Sequence, residues 1–395
     1  MKLSEKALEA LAKHKYSGVD DSILAKLILS KYWNYCLKFV PITIAPNLIT
    51  LTGTLCLVFT FITVGLYSPE LEGTLPSWLY ILCGLSLFFY QTMDNLDGKQ
   101  ARRTGTSSPL GQLFDHGCDS IVCTIQSLIV SSVGNYGIGY LTLIQLFTTA
   151  LLPFWMATWE EYHTGTLYLG PINGPDEGIV IIVIILLTTG FIGPSFWTSK
   201  PIQVYGLSKY VPYQLSNLKL NELIVLSLSL PTVITIFANI RNVVQHLKRN
   251  NKPILPALKH ILVWIIITGC TFVWYFCSTE LYAEDSIWFS YVRIIQLSIG
   301  IIFGQLVSRL ILAHMCHEKY NVLQTPLIPL IFATFVSFIQ WYNQSEYVSE
   351  YFVLIMFVTL SFMHYFIFAK ATIDQLCSFL KINCFTIPKQ GEKTN

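Results

Sequence analysis

Asp94-Asn95-Leu96-Asp97-Gly98-Lys99-Gln100-Ala101-Arg102 and, a little further on, Gly111-Gln112-Leu113-Phe114-Asp115-His116-Gly117-Cys118-Asp119 are the two pieces of this chain whose reading decides the rest. Each joins strongly apolar sequence, so four carboxylates stand at the edges of two candidate membrane helices. In helical geometry residues 94, 97, 98, 101 and 102 share one face, and 111, 115 and 119 form a stripe one turn apart. Four like charges crowded near membrane depth would repel one another and lose hydration, at a cost on the order of several kcal/mol. A single Asp near a helix end is commonly a cap, and one carboxylate pair is commonly solvated. A whole set of acids and small residues in fixed spacing exceeds both explanations, and it makes sense where the carboxylates hold divalent cations. Gly98 and Ala101 on one helix and Gly111 on the other leave room against the backbone. The stretch therefore reads as a site for a metal-bound phosphate ester.

Composition sets the surroundings. The chain has 395 residues, 53% hydrophobic and 12% charged, which marks an integral membrane protein. A net charge of +2 argues against nucleic acid as a partner and gives no polybasic tail. Residues 1–20 are polar, so no cleaved signal peptide is expected. The ten cysteines show no CxxC or paired spacing; Cys56, Cys83 and Cys270 lie in apolar runs and read as small buried hydrophobes.

Ten membrane helices are expected, each near the ~20 residues a bilayer requires: 47–67, 76–93, 112–132, 137–158, 178–197, 219–240, 257–278, 286–312, 324–342 and 350–369. The fold class is therefore all-α and polytopic. Lys and Arg are concentrated in the N-terminal stretch, the second-to-third connection (Lys99, Arg102, Arg103), the sixth-to-seventh (Arg241, Lys248, Arg249, Lys252), the eighth-to-ninth (Lys319) and the tail (Lys370, Lys381, Lys389, Lys393). The loops 68–75, 133–136, 279–285 and 343–349 have none. Only the fifth-to-sixth connection dissents, with Lys200, Lys209 and Lys219. The positive-inside rule then places both termini and the carboxylates in the cytosol.

Ahead of the first span Ile23, Leu24, Leu27 and Ile28 form an apolar stripe at helical spacing, followed by Trp33 and Tyr35. This predicts either an N-terminal helix lying in the membrane interface or one packed on the cytosolic face of the bundle. The expected organisation is a cytosolic N-terminal segment over 1–46, catalytic helices over 47–200, additional membrane helices over 201–370 and a cytosolic tail over 371–395. His314, Cys316 and His317 are incomplete as a zinc site and read as structural, at a helix end whose dipole favours cations.

Asp94, Asp97, Gly98, Ala101, Arg102, Gly111, Asp115 and Asp119 fill every fixed position of the pattern Asp-x2-Asp-Gly-x2-Ala-Arg-x8-Gly-x3-Asp-x3-Asp. That pattern resembles the signature of the CDP-alcohol phosphotransferase family. Asp97-Gly98-Lys99-Gln100-Ala101-Arg102-Arg103-Thr104, Leu113-Phe114-Asp115-His116-Gly117 and Ala45-Pro46-Asn47-Leu48-Ile49-Thr50 are most similar to its eukaryotic choline/ethanolamine phosphotransferases. The motifs cover about the first third of the chain. Beyond residue 180 or so the resemblance rests on length and span count.

The resemblance implies transfer of a phosphoalcohol from a CDP-alcohol to a lipid hydroxyl, with release of CMP. Asp94, Asp97, Asp115 and Asp119 are assigned to two cations about 4 Å apart, and hard oxygen ligands suit Mg²⁺ or Mn²⁺. His116, inside the ligand segment, is the expected base, and Glu177 its partner or a contact of the alcohol head group. Asn47, Asn95, Gly98, Ala101, Arg102 and Gln112 are placed around the nucleotide, although the resembling enzymes often carry Glu where Gln112 stands. Arg103 joins Arg102 as a phosphate-holding or anchoring residue. Tyr90, Trp155, Trp159 and Tyr162 are candidate aromatic walls for a methylated ammonium group. The expected substrates are CDP-choline or CDP-ethanolamine and diacylglycerol, in a homodimer in the endoplasmic reticulum or Golgi membrane.

Two other readings compete. Shorter relatives use CDP-diacylglycerol as phosphatidyl donor, and ten spans argue against them. A polytopic transporter would also carry intramembrane acids, but scattered over several helices at the midplane rather than concentrated at one edge.

Overall fold

Backbone N–H and C=O groups cannot stay unpaired in lipid, so a long apolar run closes its hydrogen bonds within itself as a helix. The computed structural model describes residues 3–387 and is built on this principle; Lys389 and Lys393 lie outside the described residues. A helix α1 (Glu5–Lys13) and a short helix α2 (Ser30–Cys36), the latter running on through a 3₁₀ turn Leu37–Phe39, precede the long helices. Those are α3 (Pro46–Tyr67), α4 (Ser77–Thr104), α5 (Pro109–Val133), α6 (Tyr140–Thr164), α7 (Gly174–Ile192), α8 (Leu220–Arg249), α9 (Leu255–Asp285), α10 (Val292–Met315), α11 (Thr325–Asn343) and α12 (Glu350–Leu380). Among the described residues, eight helices are long and apolar enough to cross a membrane.

The two beyond those eight are α4 and α5, of 28 and 25 residues, diluted by the polar motif at one end. At ~1.5 Å per residue α4 is about 42 Å long, more than the ~30 Å of a hydrocarbon core. The stretch from Asp94 onward thus falls at and beyond one edge of that core. Against the expectation of ten spans stand ten long helices, of which eight are long and apolar enough to cross a membrane; α4 and α5 are long enough but fall short in hydropathy because each carries part of the polar motif.

Contacts at the helix ends show the chain alternating between two faces. On the motif face, Asn47 at the start of α3 donates to the Cys384 carbonyl at 2.9 Å, and Tyr162 at the end of α6 donates to the Glu318 carbonyl after α10 at 3.0 Å. On the opposite face, Asn221 at the start of α8 donates to the Gly134 carbonyl after α5 at 2.9 Å. There too, Arg293 at the start of α10 donates to the Ser68 carbonyl after α3 at 2.6 and 2.9 Å. The basic residues of the fifth-to-sixth connection lie on this opposite face, in a segment with Tyr205, Tyr210 and Tyr213 exposed. Aromatic and basic residues together suit a membrane–water boundary, which accounts for the dissenting charge.

Helix α10 is the axis of the bundle: 83% of its apolar window is buried inside the protein, against 17% for α8. It can be packed on all sides because Gly300 and Gly304, four residues apart, let α5 approach closely. A Cβ at Gly300 would come within 2.6 Å of two Thr124 carbons, and one at Gly304 within 3.1 Å of the Ser120 hydroxyl. One turn further on, the Ser308 hydroxyl lies 3.5 Å from where a Gly117 Cβ would stand, beside His116. The central packing thus fixes the helix that carries half of the motif.

Three features were not expected from sequence. Helix α12 runs unbroken to Leu380, past the span limit at 369 and through the first part of the expected tail, and Gln375 pins it to Leu3 through two 2.9 Å hydrogen bonds. Helix α1 docks Leu8 and Leu11 into the main core beside Leu110 and Leu376. Two parallel strands, β1 (Gly18–Asp20) and β2 (Leu167–Leu169), join the N-terminal segment to the connection after α6. Of the stripe ahead of the first span, Ile23, Leu27 and Ile28 are exposed and only Leu24 is partly buried; the face that packs on Ile49 and Leu96 is instead that of Ala25, Leu29 and Trp33.

The glycine packing yields a stability prediction. Gly300→Ala drives a methyl into the stiff β-branched Thr124 and should cost about 1–3 kcal/mol, lowering the thermal unfolding temperature of the purified protein by several degrees. Gly269→Ala, with nothing within 4 Å of its added Cβ, should leave that temperature unchanged or slightly raised.

Candidate active site

The site is a product of one turn. Helix α4 ends at Gly105, whose φ of +67° suits a residue without a side chain, and α5 starts at Pro109 with Ser108 accepting the Gly111 N–H at 3.1 Å. This short connection sends α5 back alongside α4, so that the inner faces read from sequence meet. Asp94 and Asp97 from α4 and Asp115 from α5 offer oxygens all within 4.8 Å of one another. Asp115, His116 and Asp119 form a second such group sharing Asp115. The four aspartates of the motif therefore converge, as the spacing implied.

Their surroundings supply little positive charge. Among the described residues, the only basic side chain within 4 Å is His116, whose Nδ1 lies 3.3 Å from Asp115 and 4.0 Å from Asp119. Two neutral donors help: the Thr50 hydroxyl donates to Asp97 and the Tyr90 hydroxyl to Asp119. Asp115 Oδ1 is buried without a hydrogen-bond partner. Two like charges ~4 Å apart cost about 4 kcal/mol at an effective dielectric of 20, so four such groups require protons or cations. A half-buried donor set dominated by carboxylate oxygens, one of them buried without a partner, fits a hard divalent cation.

His116 is held for one task. With Nδ1–H donated to Asp115, the other ring nitrogen keeps its lone pair, and that Nε2 is buried with no partner in the protein. The Tyr16 ring stands edge-on to the imidazole at 6.1 Å, carried there by the segment that β1 ties down. Tyr16 is half-exposed, and partial desolvation beside the charges of Glu161, Asp115, Asp119 and Asp94 raises its hydroxyl above its usual range.

The residues expected around a nucleotide are all at the rim. Arg102 leans over Gly98, its guanidinium 3.5 Å from where a Cβ would stand, so a phosphate against Gly98 would meet it. Gly111 faces the Asn47 Oδ1, 3.7 Å from its Cβ position, while the Asn47 amide nitrogen is used by Cys384. Asn95 donates to the Gln91 carbonyl of its own helix at 2.9 Å and keeps its oxygen free. Ala101 is half-buried on the same face. The Gln112 amide is engaged at both ends: its oxygen meets His14 Nε2 at 3.0 Å and its nitrogen donates to Glu161 at 3.2 Å. Burial holds the His14 imidazole below its usual range, with the Gln112 hydrogen bond opposing.

Glu177 differs from expectation. Its carboxylate accepts from the Ser22 hydroxyl at 2.6 Å, the Leu24 N–H at 3.0 Å and the Asn173 N–H at 3.0 Å. These donors bind it to the N-terminal segment and its own turn, and Asp115 rather than Glu177 orients His116. Of the aromatic candidates, Trp155 and Trp159 are fully buried, Tyr90 serves Asp119, and Tyr162 is committed to Glu318 and Tyr320. Sequence reasoning missed His14, Tyr16, Thr50 and Glu161. The signal for Thr50 was its place in the quoted Ala45–Thr50 motif, whereas His14 and Tyr16 carry no spacing that points to the motif.

Comparison with known proteins agrees with this geometry. Residues 43–206 match the family model described as CDP-alcohol phosphatidyltransferase, and that segment contains every motif residue named above. The chain is 66% identical over 394 residues to "Uncharacterized CDP-alcohol phosphatidyltransferase class-I family protein 3" of Dictyostelium discoideum, covering 98% of this chain and 99% of the relative. It is 33% identical over 386 residues to choline/ethanolaminephosphotransferase 1 of Arabidopsis thaliana, covering 96% and 97%. It is 30% identical over 397 residues to cholinephosphotransferase 1 of Saccharomyces cerevisiae, covering 99% of each. The similarity thus continues through the helices after the motif, and the chain belongs to the CDP-alcohol phosphatidyltransferase family.

Proposed function

We propose that this protein transfers phosphocholine or phosphoethanolamine from its CDP-alcohol to the free hydroxyl of diacylglycerol, forming phosphatidylcholine or phosphatidylethanolamine and releasing CMP. The observation that carries the reading is the convergence of Asp94, Asp97, Asp115 and Asp119 beside an imidazole with a free nitrogen. Full-length similarity to relatives named for choline and ethanolamine phosphotransfer supports the choice of substrates. A transporter reading has no support in that family.

Helices within 47–200 supply the chemistry, and those of 201–370 clamp α5 from behind. When bound, two Mg²⁺ or Mn²⁺ ions neutralise the pyrophosphate charge and ease departure of the CMP phosphate. The four aspartates would hold them, with the Thr50 and Tyr90 hydroxyls orienting the Asp97 and Asp119 carboxylates. His116 Nε2 takes the proton of the acceptor hydroxyl as that oxygen bonds to the phosphorus bearing the amino alcohol. The bond from that phosphorus to the CMP oxygen breaks, and CMP leaves with the electron pair. Arg102 steadies the phosphates over Gly98, and Asn47, Asn95, Ala101 and Gln112 line the nucleotide side. Glu177 acts by position, holding Ser22 and Leu24 so that Tyr16 stays against His116. The assembly is a homodimer in the endoplasmic reticulum or Golgi membrane, with its site toward the cytosol.

Purified protein given diacylglycerol, Mg²⁺ or Mn²⁺, and CDP-choline or CDP-ethanolamine separately should release CMP with at least one donor. No release with either, from folded protein, would overturn the substrate assignment. Asp97→Asn should lower kcat at least a thousandfold while leaving the metal-free protein's thermal stability unchanged or raised, since it removes a ligand and one of four mutually repelling charges but keeps the shape. His116→Ala should cost about 10²–10⁴ in kcat, the usual worth of a positioned base. Chelation should abolish turnover, and re-addition of either cation should restore it. Ser22→Ala should reduce kcat only modestly, because two backbone donors still hold Glu177.

A further inference from the structure

On the outer side of α4, away from the carboxylates, an apolar groove of about 450 Å³ runs between α4 and the N-terminal helix α2. Tyr32, Cys36 and Phe39 line it from α2, and Leu85, Phe89 and Met93 from α4. It is open along one side: Phe39 is 69% and Leu85 55% exposed. The Tyr32 ring, stacked on Phe88 at 5.4 Å, and the Tyr32 hydroxyl, 3.4 Å from Thr92, hold α2 at this distance from α4. A smaller groove of about 270 Å³ continues past Phe39 and Met93 toward Leu48 of α3. Apolar space of this kind, open toward the outside of a membrane bundle, is filled by hydrocarbon rather than by water.

The α4 face that floors the groove has a polarity. Residues 85, 89, 92, 96, 99 and 103 succeed one another at three- and four-residue steps, so they form one stripe. Leu85, Phe89, Thr92 and Leu96 make its apolar part, about 16 Å long, and Lys99 and Arg103 occupy its next two turns. Both cations are fixed. Lys99 Nζ donates to the Asn34 side chain at 2.9 Å, and Arg103 donates to the Leu37 and Val40 carbonyls at 2.7 and 3.0 Å. Lys38, between those carbonyls in sequence, has its ammonium 5.8 Å from the Tyr35 ring. None of the three has an acidic partner within 4 Å among the described residues; the only Lys–carboxylate pairs there are Lys26 with Asp21 and Lys370 with Asp374. A dispersed positive-inside bias needs no such ordering of its cations.

We propose that this groove binds an anionic phospholipid of the bilayer, one acyl chain lying against Leu85, Phe89 and Phe39 and the phosphate head group meeting Lys38, Lys99 and Arg103. The lipid is a structural ligand that holds α2 against α4. It is distinct from the substrates, because the groove opens on the far side of α4 from Asp94 and Asp97. The juxtaposition of an apolar groove with two fixed cations on the continuation of its α4 stripe, Lys99 and Arg103, and with Lys38 beside the carbonyls that hold Arg103, selects a negative head group over a zwitterionic one.

Native mass spectrometry of the full chain, titrated separately with phosphatidylserine and phosphatidylcholine of the same acyl chains, tests this. The wild type should retain one phosphatidylserine with at least a tenfold preference. Each basic residue removed should cost on the order of fivefold in that preference, so the double variant Lys38→Gln/Lys99→Gln should bind the two lipids about equally. Leu85→Trp, which fills the groove without touching the cations, should lose both. Equal retention of the two lipids by the wild type, or undiminished phosphatidylserine binding in both variants, would overturn the proposal. Displacement of the bound lipid by equimolar diacylglycerol would also overturn it, assigning the groove to the substrate path.

Discussion

Asp94, Asp97, Asp115 and Asp119 gather four carboxylates where α4 and α5 leave the apolar part of the bundle, and among the described residues His116 is the only basic side chain within 4 Å of them. Nothing in the packing requires this arrangement; leucines at those positions would make a more stable helix pair. Repulsion between the acids must therefore be overcome by the rest of the structure. The tight turn at Gly105 brings the motif-bearing ends of α4 and α5 together while both pack on α3, and α10, drawn close by Gly300 and Gly304, backs α5. Arg293 ties the far ends of α3, α5 and α10 together through Ser68 and Ser132. The bundle is a frame that holds in place what electrostatics alone would push apart.

The N-terminal segment completes the site from outside the bundle. Helix α1 docks on α12, β1 pairs with β2, and Glu177 gathers Ser22 and Leu24, so residues 3–24 lie across the open side of the motif. That is how His14 reaches Gln112 and Tyr16 reaches His116. The segment is anchored at several points, with Leu3, Ala7, Leu8 and Leu11 buried in the main core and Ser22 buried against Glu177.

Much of this was legible in the chain because it rests on periodicity. The carboxylate cluster followed from helical spacing alone, as did the long helices, since apolar runs of this length have one stable form in lipid. The partners of the site were not legible for the opposite reason. Three-residue strands such as Gly18–Asp20 have no pattern to read, and contacts such as Tyr16 with His116 depend on tertiary placement. Glu177 looked like a partner for His116 because both are polar residues at helix ends on one face. Its lone pairs went instead to backbone and hydroxyl donors closer by. Helix α1 was the readable omission: Ser4 caps it, and Ala7, Leu8 and Leu11 repeat at helical spacing.

The central claim is that the four aspartates share a pair of divalent cations. Electron paramagnetic resonance of the purified protein titrated with Mn²⁺ addresses it without reference to turnover. Two Mn²⁺ ions about 4 Å apart should give the broadened spectrum of a magnetically coupled pair. Asp115→Asn, which alters the carboxylate common to both ligand groups, should convert that signal to uncoupled or unbound Mn²⁺. A single uncoupled Mn²⁺ in the wild type, or a coupled pair that survives Asp115→Asn, would contradict the account.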